Sequence, residues 1–230
     1  MPETLRNPPP IAVLFDIDGT LISTGGAGAK SWKWAFQQLH GIPADIGEYT
    51  DAGMTDPDVA RGTFKKAVGH DPSPQEMAAV IGAYLSILPD NVQESEGYKV
   101  LDGVYELLPE LVKRGVLLGI TTGAVEAAAH VKLGRAKLNK YFAFGGYGSD
   151  SGDRIELTRR AIERGGAILG HPLDAADVLV VGDTPRDVMA ALGAGAVPVG
   201  VASHHHTEEQ LREAGAEYVI GTLVEGLPGL

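Results

Sequence analysis

Four short runs rich in valine, leucine and isoleucine, at 11–15, 116–120, 178–181 and 197–201, are separated by longer stretches of helical character. Strands that are apolar on both faces belong in a parallel sheet covered by helices on both sides. The alternation therefore predicts an α/β, doubly wound core. Ligands of such sheets gather in the crevice at the carboxyl ends of the strands, so the residues that close each run carry the interest. The first run, Ile11-Ala-Val-Leu-Phe-Asp16-Ile-Asp18-Gly-Thr20, closes on two carboxylates and a glycine turn. Burying an unpaired carboxylate is costly, and two at one strand end point to a cation. The second, Leu118-Gly-Ile-Thr-Thr122-Gly123, closes on hydroxyls and a glycine, and the third, Val178-Leu-Val-Val-Gly182-Asp183-Thr-Pro-Arg-Asp187, on Gly-Asp-x-x-x-Asp. Asp16, Asp18, Thr122 and Asp183 are expected to converge at one edge of the sheet although they are far apart in the chain.

Between Thr24 and about Gly97 the strand pattern lapses, and helix-like runs near 28–40, 56–69 and 74–88 are set off by glycine- and proline-containing breaks. The expected division is a core of 1–23 and 97–230 with an inserted helical domain over 24–96. Thr55-Asp56-Pro57 reads as a helix start, with Asp56 as N-cap ahead of a proline in the first turn. Gly25 to Ser31 approaches a phosphate-binding P-loop but carries Thr24 and Ala29 where that loop has glycines, and reads better as a hinge. Within the insertion, Lys30, Tyr49, Met54 and Arg61 are candidates to face a substrate, each equally readable as a surface or packing residue. Trp32 and Trp34 read as packing, the His204-His205-His206 tract as a solvated loop, and Pro8-Pro9-Pro10 as a stiff arm.

Taken together and in this order, the three strand ends resemble the signatures of the haloacid dehalogenase superfamily. Asp16 to Thr20 matches Asp-x-Asp-Gly-Thr, Thr121-Thr122-Gly123 the second signature, and Gly182 to Asp187 the fourth. The resemblance implies a Rossmann-like core whose inserted helices form a small cap over the site, as in the phosphoglycolate phosphatase and β-phosphoglucomutase group. One departure stands out. The third signature usually offers a lysine followed by proline, whereas this chain reads Gly148-Ser-Asp150-Ser-Gly-Asp-Arg154-Ile-Glu-Leu. Arg154 is the positional match, and Lys132, on the helix after Thr122, is its competitor.

The activity implied by the resemblance is that of a Mg²⁺-dependent phosphatase acting on a small phosphorylated metabolite. Asp16 would be the nucleophile, forming an aspartyl-phosphate, and Asp18 the general acid and base. Mg²⁺ would be held by the Asp16 side chain, the main-chain carbonyl of Asp18 and the Asp183 side chain, with Asp187 behind them or bridged by water. The Thr122 hydroxyl and Gly123 amide would bind phosphoryl oxygens, Thr121 being the alternative because strand alternation turns only one of the two threonines to the site. Arg154 or Lys132 would balance the phosphoryl charge, the arginine offering a planar fork where the family usually has a point charge. Competing readings are a phosphomutase of the same fold and a phosphoryl-accepting or binding protein without turnover. A haloacid dehalogenase fits less well, since it has no need of Asp18 and the acidic fourth signature.

The 230-residue chain carries a formal net charge of -11, which disfavours nucleic acid as a partner. No apolar run approaches the roughly 20 residues of a membrane span. Asp16 and Asp18 interrupt the first apolar stretch before it can act as a signal peptide, so a cytoplasmic location is expected. With no cysteine, the chain is neither a disulfide scaffold nor a thiolate zinc site nor a cysteine-dependent phosphatase. The oligomeric state is not fixed by any of these features.

Overall fold

β1 (Ala12–Phe15) lies in the middle of the molecule, completely buried, and sends alternate side chains to two different cores. Val13 and Phe15 join a large cluster with Leu118 and Ile120, while Ala12 and Leu14 pack with Phe144, Ala161, Val178 and Val180 on the other face. The computed structural model describes residues 9–49, 51–202 and 206–230. Met1 to Pro8, with the first residue of the proline run, and His204 and His205 of the histidine tract lie outside the described residues.

In chain order the elements are β1, β2 (Ile22–Ser23), α1 (Ala27–His40), α2 (Asp56–Ala67), α3 (Pro74–Glu94), β3 (Lys99–Val100), α4 (Val104–Lys113), β4 (Leu117–Thr122) and α5 (Glu126–Gly134). They continue with β5 (Phe144–Tyr147), α6 (Arg154–Leu169), β6 (Val178–Gly182), α7 (Pro185–Ala194), β7 (Val197–Val201), α8 (Glu208–Glu213) and β8 (Tyr218–Ile220). Six strands form one parallel sheet in the order β5-β4-β1-β6-β7-β8. The chain adds β4 and β5 on one side of β1 and then crosses through α6 to build β6, β7 and β8 on the other. The order of strands reverses at β1, so the crevice of a doubly wound sheet opens above β1 and its neighbours. No helix among the described residues is long and apolar enough to cross a membrane.

The segment between β2 and β3 is helical, and those two short strands pair antiparallel where it leaves and rejoins the sheet domain. The two connections run very close together: a Cβ on Gly25, at φ 60°, would stand 2.4 Å from the Gly97 carbonyl carbon. Inside the segment, α1 packs on α3, with Trp32 stacked on Tyr84 at 4.1 Å between ring centroids and a buried Asn91–Ser31 hydrogen bond of 2.9 Å. Trp34, by contrast, is exposed. The helix starts are written locally. Ser73 and Glu76 form a reciprocal capping box at α3, and Thr55, not Asp56, caps α2 by accepting from the Asp58 amide. The expectation for Asp56 is thereby corrected: it is the first helical residue, Pro57 the second, and its carboxylate is free to point elsewhere.

Candidate active site

Asp16 follows β1 and Asp183 follows β6, and because these strands are hydrogen-bonded neighbours in register, their ends place the two carboxylates side by side. Asp187 joins them from the first turn of α7. Carboxylate oxygens of Asp16, Asp183 and Asp187 all lie within 4.8 Å of one another, and all three residues are buried. Gly19 makes this approach possible. At its φ of 84° a Cβ would stand 2.2 Å from an Asp183 carboxylate oxygen, so only glycine fits. Thr20 donates a 3.3 Å hydrogen bond to Asp183. Asp187 divides its two oxygens: one accepts from the Thr184 amide and hydroxyl in a capping box at α7, and the other pairs with Arg154.

Three buried acids in contact repel one another, and Asp16 and Asp183 are shifted by it. Loss of water, then the neighbouring Asp187 charge, push Asp16 up to about 7, with Arg154 opposing. Loss of water, then Asp16 and Asp187, push Asp183 up to about 8. Arg154 brings positive charge to the cluster. Its guanidinium pairs with Asp187 and, at 3.3 Å, with Asp16, while its other nitrogen donates to the Gly53 carbonyl at 2.9 Å. Arg154 stands at the first position of α6, whose N-cap is Asp153, and from that helix start it reaches the site.

Lys132 reaches the site as well. The two cations that the sequence sets in competition serve different carboxylates. Lys132, on α5 and only 7% exposed, lies 2.5 Å from Asp18. Burial alone would lower its pKa, but Asp18 first, then Tyr84 and Asp56, raise it, so it remains an ammonium. Asp18 is not part of the three-acid cluster. Its side chain turns to Lys132.

Thr122, at the end of β4, lines the crevice, whereas the Thr121 hydroxyl faces α6 and shares a 3.0 Å hydrogen bond with Thr158. Gly123 is a glycine for a packing reason: a Cβ there would meet the Met54 carbonyl at 2.6 Å, because the loop before α2 lies directly on it. The cavity enclosed by these groups measures about 300 Å³ and is completed by Ser23 at the end of β2 and, from the helical segment, by Thr24, Met54 and Asp56. Lys30 and Arg61 are exposed, and neither they nor Tyr49 line it. Asp56 is the contributor that sequence reasoning missed. The hint was there: with Thr55 able to cap α2, an aspartate beside it is not needed for that purpose.

Residues 13–201 match the family model of haloacid dehalogenase-like hydrolases. The chain belongs to that family. Among curated relatives it is 28% identical over 217 residues to the probable phosphatase IndB of Dickeya dadantii strain 3937, covering 93% of this chain and 90% of that one. It is 30% identical over 221 residues to the phosphoglycolate phosphatase of Rhodospirillum rubrum, covering 90% and 85%. The crystal structure of a predicted phosphatase from Clostridium acetobutylicum shares the fold, with a TM-score of 0.72 at 24% identity over 94% of this chain and 96% of that one. The haloacid dehalogenase-like chain thus has the doubly wound core that its strand pattern implies.

Proposed function

We propose that the chain is a Mg²⁺-dependent phosphatase of a small phosphorylated metabolite, with residues 24–96 serving as a cap over a catalytic core of 1–23 and 97–230. The observation that carries this reading is the meeting of Asp16, Asp183 and Asp187 within 4.8 Å at the switch point of the sheet, with Arg154 paired to two of them and Lys132 lining the same cavity beside Asp18. The names of the curated relatives support it.

The donor set fits Mg²⁺. It consists of hard carboxylate oxygens in a buried, crowded site that cannot stay fully ionised without a cation. Asp16 and Asp183, with the main-chain carbonyl of Asp18, would hold the ion, and Asp187 would stand behind them. The ion would supply positive charge that lets a carboxylate approach a dianionic ester.

The residues of the chain then divide the work. An oxygen of Asp16 forms a bond to phosphorus as the ester P–O bond breaks, and Asp18 gives its proton to the departing alkoxide. The oxygen of a water molecule next bonds to phosphorus, its proton passes to Asp18, the Asp16–phosphorus bond breaks, and inorganic phosphate leaves. Arg154 and Lys132 hold phosphoryl oxygens, joined by the Thr122 hydroxyl and the Gly123 amide. Asp18 and the incoming phosphoryl group share Lys132, so the turning of the ammonium toward the substrate frees Asp18 for proton transfer. The cap excludes bulk water from these steps.

With p-nitrophenyl phosphate, sustained release of phosphate is expected in the presence of Mg²⁺ and background release in EDTA. A single burst without turnover would instead identify a phosphoryl-accepting protein, and a requirement for a bisphosphate activator would identify a mutase.

A further inference from the structure

The Asp56 carboxylate is buried at the seam between the helical segment and the sheet domain, where nothing in the chemistry above requires an acid. It belongs to the first turn of α2, yet it accepts a 2.9 Å hydrogen bond from the Val125 amide, the N-cap of α5. Its own amide donates to the Gly123 carbonyl at 2.7 Å. Desolvation, the largest effect, raises its pKa, while Lys132, the Val125 amide and the Trp32 side chain favour the charged form. The positive ends of two helices, α2 and α5, therefore converge on one carboxylate, and Lys132, which lines the same cavity, favours its charge.

Lys132 is seven residues beyond Val125, two turns along the same face of α5. Helical side chains lean toward the N-terminus, so its ammonium comes back toward the helix start that Asp56 holds. The ammonium thus pairs with one carboxylate of the core, Asp18, and interacts through the shared cavity with the charge of one in the helical segment, Asp56. The same helix is gripped further along: Tyr98 donates to the Lys132 carbonyl at 2.8 Å, and Arg135 donates to the Val92 and Ser95 carbonyls at 2.6 and 2.7 Å. α5 is the core helix on which the helical segment rests.

We propose that Asp56 is a positioning residue that ties closure of the helical segment to the placement of the Lys132 ammonium, holding it within reach of the phosphoryl group when it turns away from Asp18. The kinetic consequence rests on the phosphatase reading; the mechanical one does not. Only with the segment seated does Asp56 reach α5, so the ammonium is held in place only over a closed site.

Two readouts test this. Asp56→Asn keeps an oxygen to accept from Val125 but removes the charge. It is expected to lower kcat by about 10–100-fold, the range typical of residues that orient a reacting group through another, with KM within about threefold of wild type and thermal stability retained. Ser31→Ala, which breaks the buried Asn91–Ser31 contact inside the helical segment, is the structural control: it should lower the melting temperature and leave kcat unchanged. In parallel, Asp56→Ala should speed hydrogen exchange at the Val125 amide at least about tenfold, since that donor loses its partner, while Ser31→Ala should not. An unchanged kcat in Asp56→Asn, or a loss only in proportion to the unfolded fraction, overturns the proposal. If the wild-type protein turns over no phosphomonoester, the phosphatase reading fails on its own, and the exchange experiment still decides: equal Val125 protection in wild type and Asp56→Ala removes Asp56 as the tie.

Discussion

Asp16→Asn is expected to lower phosphomonoester turnover by at least about a thousandfold while the protein stays folded. The amide has the shape of the carboxylate but is too poor a nucleophile to form the acyl phosphate. It also withdraws one charge from the cluster with Asp183 and Asp187. Stability should move the opposite way from activity. In the folded, metal-free protein burial and Asp187 hold the Asp16 pKa at about 7, against 3.8 when unperturbed. The folded state therefore keeps a proton that the unfolded chain has released, and through this group the wild type loses stability as pH rises from about 4 to about 7. Asparagine has no such loss. In EDTA the variant should match the wild type near pH 4 and exceed it by ~1–3 kcal/mol at pH 8, and added Mg²⁺ should stabilise the wild type far more than the variant. Thermal unfolding at the two pH values checks the sign. A variant less stable than wild type at pH 8 in EDTA would mean that the carboxylate is structurally satisfied and not poised for a cation.

Lys132→Met should have the largest effect on stability. The substitution keeps the length of the side chain and removes the ammonium, leaving Asp56 buried with only the Val125 amide and the Trp32 side chain to favour its charge. Removing one member of a buried pair typically costs about 3 kcal/mol, although Asp18, which is partly exposed, recovers some of its hydration. For a chain of this size that corresponds to a melting temperature roughly 6–12 °C lower. Turnover should fall at least about a hundredfold, because the proposed mechanism has this cation hold phosphoryl oxygens. The double variant Lys132→Met with Asp56→Asn separates the two effects. With no carboxylate left stranded at the seam, it should recover most of the lost stability and none of the lost turnover. A double variant no more stable than Lys132→Met alone would show that Asp56 and Lys132 do not interact.

The residues of the acidic cluster are legible in the sequence because strand ends announce them. β1, β4, β6 and β7 are rich in branched aliphatic residues, the composition that suits strands buried on both faces. β5 escapes the same reading. Its Phe144-Gly-Gly-Tyr147 looks like a turn, but a Cβ on Gly146 would stand 1.8 Å from the Leu157 carbonyl, so the glycine is dictated by how tightly α6 lies on the strand. β8, three residues at the sheet edge, is too short to show a pattern. The two cations are recognisable as candidates, yet their division of labour is not, because one comes from the face of α5 and the other from the start of α6, and only the tertiary fold brings both to the crevice. Asp56 is the extreme case. Locally it looks like part of a helix start; its reach into the core is set by the seating of α2 on residues 123–125, which no local pattern records.

The most direct measurement of the central claim is the mass of acid-quenched Asp18→Asn protein during reaction with p-nitrophenyl phosphate and Mg²⁺. An acidic phenol departs without a proton, so phosphoryl transfer to the protein can proceed in this variant, while release of the phosphoryl group to water is slowed for want of a base. A phosphoryl adduct on the peptide that contains Asp16, absent when EDTA replaces Mg²⁺, is the predicted result. An unmodified Asp16 beside an active wild-type enzyme, or an adduct on any other residue, would contradict it.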